Sequence, residues 1–214
     1  MNTTRSETLT GTVDISFPEF LQPPAGPVAL VRAWFEEAVR LGVREPRALA
    51  LATADTRGRP STRMVALNRI TDEGFVFATH ADSRKGREMT ANPWASGALY
   101  WRETTQQIIV TGAVERLSDT VADELWFSRP PFTHPLSVAS RQSERLHDPE
   151  ALRAEVRRRT ENADGGPLPR PEGYAGFLLR FDTVELWANG EDRLHERLCY
   201  DRTDDGWTPY RLQP

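Results

Sequence analysis

Several common features are scarce in this sequence of 214 residues, and each scarcity excludes a class of protein. A single cysteine, Cys199, cannot form an internal disulfide, which predicts a reducing compartment such as the cytoplasm. No apolar run approaches the length of a membrane span, and the N-terminus lacks the basic-then-apolar order of a signal peptide. A formal net charge of −4 gives no basic excess for binding nucleic acid. We therefore expect a cytoplasmic protein that binds neither membranes nor nucleic acid.

Patterns typical of a metal centre or of nucleophilic catalysis are also missing from the sequence. The four histidines, at positions 80, 134, 147 and 195, show no ligand spacing with one another or with Cys199. Cys199 lies in an alternating run, which favours a strand residue over a nucleophile. The sequence predicts no metal site, no catalytic triad and no carboxylate dyad.

The chain is long enough for one domain with a full core. Residues 1–24 are polar, rich in threonine and end among prolines, so we expect a flexible N-terminal arm followed by a single domain over 25–214. Residues 132–147 have weak periodicity and are predicted to be loop or short helix on the surface. The rest alternates short strand patterns and turn signals with a few helices, which predicts a mainly β protein: a closed antiparallel barrel with peripheral helices.

The stretch from Arg63 to Lys85 contains the clearest indication of a site. Its alternating apolar residues predict a β-hairpin with a turn at 71–74, followed by a short helix over 85–91 for which Asp82-Ser83 offers an N-cap. Arg84 and Lys85 lie in the first helical turn, where the helix dipole opposes positive charge. Two cations beside free backbone N–H groups suit a phosphate, although two solvated surface cations would give the same pattern.

Motifs in this stretch and downstream resemble those of the pyridoxamine 5′-phosphate oxidase family, which are flavoenzymes built on a split β-barrel. The resemblance covers residues 47–214, and within the family it is greatest to the flavin oxidases of phenazine biosynthesis. The stretches 44–53 and 100–104 resemble that branch. The motifs that carry the family resemblance are Arg63-x-Val-x-Leu, Phe77-Ala-Thr79, Ser83-Arg-Lys85, Ser128-Arg-Pro130, Ser140-Arg-Gln-Ser143 and Trp187-x-x-Gly-Glu-x-Arg-Leu-His-x-Arg197.

The resemblance implies a homodimer with FMN at the interface, a site completed by both subunits, and hydride transfer to the flavin with O₂ as the final acceptor. No catalytic side chain is implied, because the flavin carries the chemistry. The residues implied to bind FMN are Arg63, Met64, Val65, Ala66, Asn68, Ala78, Thr79, Ser83, Arg84, Lys85, Gln107, Gln142, Ser143, Trp187 and Arg197. Those implied to bind substrate are Arg129, Thr133, Arg193 and His195.

Two positions depart from the family pattern. Asn68 stands where the family has a lysine, and Leu125 stands where it has a tyrosine; both of those groups help to hold the phosphate of pyridoxine 5′-phosphate. Losing two phosphate donors favours a flat tricyclic substrate that bears carboxylates, such as a partly reduced phenazine carboxylate. Two alternatives remain open: a pyridoxine 5′-phosphate oxidase, and a flavin-binding carrier without turnover.

Overall fold

The computed structural model describes Val13 and residues 15–190 and 194–214. None of the helices described there is long and apolar enough to cross a membrane. The five α-helices of this part are α1 (Val28–Arg40), α2 (Arg84–Ala91), α3 (Asp119–Phe127), α4 (His134–Ala139) and α5 (Pro149–Ala163). Its nine strands are β1 (Ala48–Ala54), β2 (Pro60–Ile70), β3 (Gly74–His80), β4 (Trp94–Trp101), β5 (Gln106–Arg116), β6 (Tyr174–Arg180), β7 (Thr183–Ala188), β8 (Glu196–Thr203) and β9 (Gly206–Arg211).

Six of the strands close an antiparallel barrel in the order β4-β1-β2-β3-β6-β5, with β5 pairing back onto β4. The sheet continues beyond β5 through β7, β8 and β9. Strands β1 and β5 alternate between a buried inner face and an outer face, and Ile108 and Val110 of β5 are fully buried. Strands β3 and β6 are buried along almost their whole length. The predicted split β-barrel with peripheral helices is confirmed.

Helix α2 closes one part of the barrel rim and is placed there by its local sequence. Ser83 caps the helix, its Oγ accepting a hydrogen bond from the amide of Gly86. A Cβ at position 86 would lie 2.2 Å from the carbonyl oxygen of Ala81, so the first turn can pack this closely only with glycine. Helix α1 is amphipathic and buries the face that includes Val31 and Phe35.

Two predicted segments, the N-terminal arm and residues 132–147, each contain a buried residue. Phe17, in the expected arm, is only 5% exposed and packs edge-on against Trp34 at 4.7 Å between ring centroids. Phe17 therefore belongs to the core and Phe20 packs against it, while most of the arm lies outside the described residues. The segment 132–147 forms the short helix α4 and a mostly exposed loop, as expected, but α4 begins at His134, which has no exposed area.

Candidate active site

Three cations meet at the N-terminus of α2. Arg84 and Lys85 occupy its first turn, and Arg63 comes from β2, where it pairs in register with the inward-facing Leu51. Burial is the main cause that lowers the pKa of both Arg63 and Lys85. The charge of Arg84 lowers the pKa of Arg63 further, and the charge of Arg63 does the same to Lys85. Each cation thus lowers the proton affinity of the next, and an anion here would relieve that repulsion.

A buried carboxylate, Glu88, connects these cations to the barrel rim. Its Oε2 accepts hydrogen bonds from Thr53 at 2.5 Å and Ser61 at 2.6 Å, and it lies 3.3 Å from Nη2 of Arg63. Its Oε1 accepts a hydrogen bond from Nε of Arg84 at 2.8 Å. Burial alone would raise the pKa of Glu88, but these hydrogen bonds and the Arg84 charge lower it to about 2. Glu88 therefore stays ionised and fixes both arginines.

Gln142 and Ser143 join this cluster within the same chain. The side-chain oxygen of Gln142 accepts hydrogen bonds from Thr79 at 3.2 Å and from Lys85 at 3.1 Å. Ser143 has a left-handed backbone with φ of 71°, uncommon for a residue with a side chain, and its Oγ accepts from the amide of Arg84 at 3.1 Å. A hydroxyl that binds the first amide of a helix lies where an anion would bind.

A second group of predicted residues lies on the outer face of the sheet. Gln107 is the outward neighbour of the buried Ile108, and it pairs in register with Tyr100 on one side and Trp187 on the other. Trp187 pairs in turn with Arg197. Gln107, Trp187 and Arg197 thus form one row across the outer face, whereas Arg63 shares the inner face. The sheet separates the two groups within one chain.

Two residues support this outer row. Glu185 accepts a hydrogen bond from Nε of Arg197 at 2.7 Å and raises the pKa of that arginine. The ring of His195 lies against that of Trp187, tilted by 44° with the centroids 4.8 Å apart. Its Nδ1 is buried and has no hydrogen-bond partner among the described residues. This nitrogen is therefore available to a ligand or to a second subunit.

The predicted substrate residue Arg129 lies in a corner of aromatic rings, away from the outer row. Its guanidinium carbon is 5.0 Å from the ring centroid of Trp126 and 5.4 Å from that of Tyr174. Its Nη2 donates to Oγ of Ser137 at 2.9 Å. Within the described part of the chain, no carboxylate forms an ion pair with this half-buried cation. A guanidinium without a counter-ion suits an anionic ligand.

The remaining predicted residues are distributed as follows. Asn68 lines a surface groove beside α1, and its carbonyl oxygen accepts from Arg47 at 3.1 Å. Leu125 is 1% exposed and belongs to a small apolar cluster, so its side chain does not line that groove. Thr133 donates its hydroxyl to the carbonyl of Pro130. Arg193 lies outside the described residues.

Four further residues predicted to bind FMN lie on β2 and β3. Met64 and Ala66 lie on the outer face of the sheet. Val65 and Ala78 are half-buried, and each packs against one of the two apolar clusters.

The sequence interpretation missed several residues of these clusters. Glu88 lies four residues after Arg84, a spacing that indicates a helical ion pair and could have been recognised. Thr53 and Ser61 lie 35 and 27 residues from Glu88, and nothing local marks them. Ser137 belongs to a segment without clear periodicity.

Comparison with known proteins agrees with this geometry. Residues 35–163 match the profile described as pyridoxamine 5′-phosphate oxidase, and residues 174–214 match the pyridoxine 5′-phosphate oxidase C-terminal dimerisation region. The chain belongs to the pyridoxamine 5′-phosphate oxidase family. Both groups of site residues fall within these matches: the cations of α2 in the first, and Trp187 with Arg197 in the second.

Relatives within the family include members of both branches. Dihydrophenazinedicarboxylate synthase of Pseudomonas chlororaphis is 59% identical over 98% of this chain and 93% of its own length. A pyridoxine/pyridoxamine 5′-phosphate oxidase of Rubrobacter xylanophilus is 40% identical over 88% of this chain and 87% of its own. The crystal structure of PhzG from Burkholderia lata 383, in complex with tetrahydrophenazine-1-carboxylic acid, superimposes with a TM-score of 0.90 and 48% identity. The superposition covers 95% of this chain and 100% of the Burkholderia lata chain. The resemblance to the phenazine branch is confirmed.

Proposed function

We propose that this protein is an FMN-dependent oxidase of phenazine biosynthesis, which oxidises partly reduced dihydro-, tetrahydro- or hexahydrophenazine carboxylates. When bound, FMN supplies the hydride acceptor at its N5 atom and passes the electrons on to O₂. The protein's own side chains bind, orient and hold charge, because the described residues offer positioning groups rather than a nucleophile. Three features support the proposal: the cation cluster, the outer row and Arg129.

The cation cluster fits the phosphate of FMN. Arg84 and Lys85 lie at the capped N-terminus of α2, and the Ser143 hydroxyl already binds its first amide. Thr79 and Gln142 would hold Lys85 in place beside the phosphate. Arg63 forms an ion pair with Glu88 and adds a third positive charge to this cluster.

We propose a homodimer as the functional unit, because one chain separates the two groups of cofactor residues on opposite faces of its sheet. The outer face also exposes large apolar side chains, among them Met64 at 60% and Tyr100 at 46%. A second copy that covers this face would place its Gln107, Trp187 and Arg197 against the cation cluster of the first.

Light scattering of the FMN-loaded protein is expected to give the mass of two chains of 24.2 kDa each. Tyr100→Glu places a charge in the outer face and should weaken dimerisation. The same variant should lose bound FMN, because the proposed FMN site needs residues of both subunits. The matched control is Val39→Glu, which adds the same charge at an exposed apolar residue of α1. A monomer with full flavin content would contradict the dimer.

Arg129 is the residue proposed to bind the substrate carboxylate. The cation is half-buried against two aromatic rings and lacks an acidic partner among the described residues. A flat ring system with a carboxylate would satisfy it, with the rings stacked on the flavin and the carboxylate on the guanidinium. His195, at the outer row, is a further polar group for such a substrate.

The assay that tests the proposal compares two substrates on the FMN-loaded protein. Tetrahydrophenazine-1-carboxylate should reduce the flavin anaerobically and consume O₂ in air, whereas pyridoxine 5′-phosphate should be turned over poorly. Efficient turnover of pyridoxine 5′-phosphate would favour the B6 enzyme instead. Flavin that binds but accelerates neither reaction would indicate the carrier.

Asn68 offers a test of the specificity argument. Asn68→Lys restores the family's lysine, and one charge-assisted contact should improve the KM for pyridoxine 5′-phosphate about tenfold. The control Asn162→Lys adds the same charge on the exposed face of α5. An unchanged KM would show that position 68 does not reach the substrate. Leu125→Tyr is a poor partner for this test, because Leu125 already packs against Gly176, where even a Cβ would approach its Cδ1 to 2.9 Å.

A further inference from the structure

We propose that Ser137, together with the rings of Trp126 and Tyr174, fixes the orientation of the Arg129 guanidinium and thereby determines the preference for a carboxylated substrate. The inference rests on the proposed function, since it takes Arg129 as the group that receives the substrate carboxylate. In this assignment Ser137 is a positioning residue that acts through Arg129.

The hydroxyl of Ser137 has a defined direction. It donates its proton to the carbonyl oxygen of Thr133 at 3.2 Å, one turn earlier. Its lone pairs are therefore available to Arg129, whose Nη2 donates to Oγ at 2.9 Å. A hydroxyl has only one proton, so while Ser137 donates it to the Thr133 carbonyl, the same oxygen can only accept from Arg129. Ser137 thus holds one end of the guanidinium.

The rings of Trp126 and Tyr174 restrict the guanidinium on two further sides. They meet at 71° with centroids 4.9 Å apart, forming a corner in which the guanidinium carbon lies 5.0 and 5.4 Å from the two ring centroids. Trp126 itself is fixed by a hydrogen bond from Nε1 to the carbonyl of Leu168 at 2.7 Å. A planar guanidinium held in this way presents its remaining donors as a fork, which matches a carboxylate on a flat ring.

Two histidines, His134 and His80, lie near this fork, and the pKa of each is lowered. His134 stacks under Trp126 with ring centroids 4.1 Å apart, and burial lowers its pKa, with Arg129 adding to the effect. Burial also lowers the pKa of His80, as do Lys85 and Arg129, although Asp82 opposes them. Burial and the Arg129 charge thus both disfavour protonation of these histidines, and Arg129 is the cation at this fork.

The test is equilibrium binding of two ligands to the FMN-loaded protein: phenazine-1-carboxylate and unsubstituted phenazine. The ratio of their dissociation constants measures the preference for the carboxylate. Ser137→Ala should lower this preference about fivefold while leaving the affinity for phenazine and the flavin content unchanged, because it removes the hydrogen bond to Arg129 and, besides that, only the bond to the Thr133 carbonyl within the same segment. Ser137→Thr retains the hydroxyl and should restore the preference.

Thr160→Ala is the matched control. Thr160 makes the same hydroxyl-to-carbonyl bond one turn back, to Val156 at 2.9 Å, on α5 and away from Arg129. A preference that survives Ser137→Ala, or an equal loss of both ligands, would overturn the inference. Failure of the unmodified protein to oxidise reduced phenazine carboxylates would overturn the proposed function instead, and the binding ratio would still decide the role of Ser137.

Discussion

Replacing Arg84 and Lys85 together with alanine is expected to weaken FMN binding by about 3 kcal/mol, roughly a hundredfold in the dissociation constant. Each side chain should supply one charge-assisted contact to the phosphate. The lower end of the usual range applies, because the Arg84 side chain is 57% exposed and water screens its charge. Lys85 is more enclosed and should contribute the larger share.

The comparison between FMN and riboflavin makes this experiment specific. Riboflavin has the same ring and no phosphate, so its affinity should be nearly unchanged in the double variant. Fluorescence titration of the FMN-free protein with each flavin measures both affinities. The control is Arg157→Ala with Arg158→Ala, an adjacent pair of exposed arginines on α5 that removes the same charge. Equal losses for both flavins would show that α2 supports the fold and does not bind the phosphate.

Local patterns predicted most of the barrel and the start of the phosphate cluster. The β2–β3 hairpin followed from alternation around a turn at 71–74. The pair Asp82-Ser83 was predicted to cap the next helix, because both side chains can accept amides at helix starts, and Ser83 is the residue that does so. These features depend on neighbours in the sequence. The same reasoning could not find Thr53, whose hydroxyl meets Glu88 only because the barrel brings β1 against α2.

The start of α4 shows why some contacts were missed. Six residues give too short a window for helical periodicity, so the pattern predicted a short surface helix or loop but not the burial of His134. The burial of His134 depends on Trp126, eight residues earlier and on another helix. Family motifs identified Arg129, but its aromatic corner required Tyr174, which lies 45 residues further along the chain.

Glu88→Ala is expected to lower the free energy of unfolding of the FMN-free protein by about 3–5 kcal/mol. The substitution would leave the largely buried Arg63 without its carboxylate and would remove the acceptor of two hydroxyls, on Thr53 and Ser61. Denaturation by urea with a flavin-free sample measures the change. Glu115→Ala is the control: Glu115 pairs with Arg180 at the surface, and its loss should cost about 1 kcal/mol or less.

The stability of the protein at acid pH should also depend on Glu88. The pKa of Glu88 is lowered from 4.5 to about 2 on folding, so its ionised form stabilises the protein above pH 4.5. That stabilisation, on the order of 3 kcal/mol, should be lost as the pH falls from about 4.5 towards 2, since the unfolded chain takes up the proton first. Glu88→Gln lacks this proton uptake, and its stability should fall less steeply over the same range. Parallel curves for the two proteins would mean that Glu88 does not hold Arg63 and Arg84 as an ion, and the cation cluster would then need another source of stability.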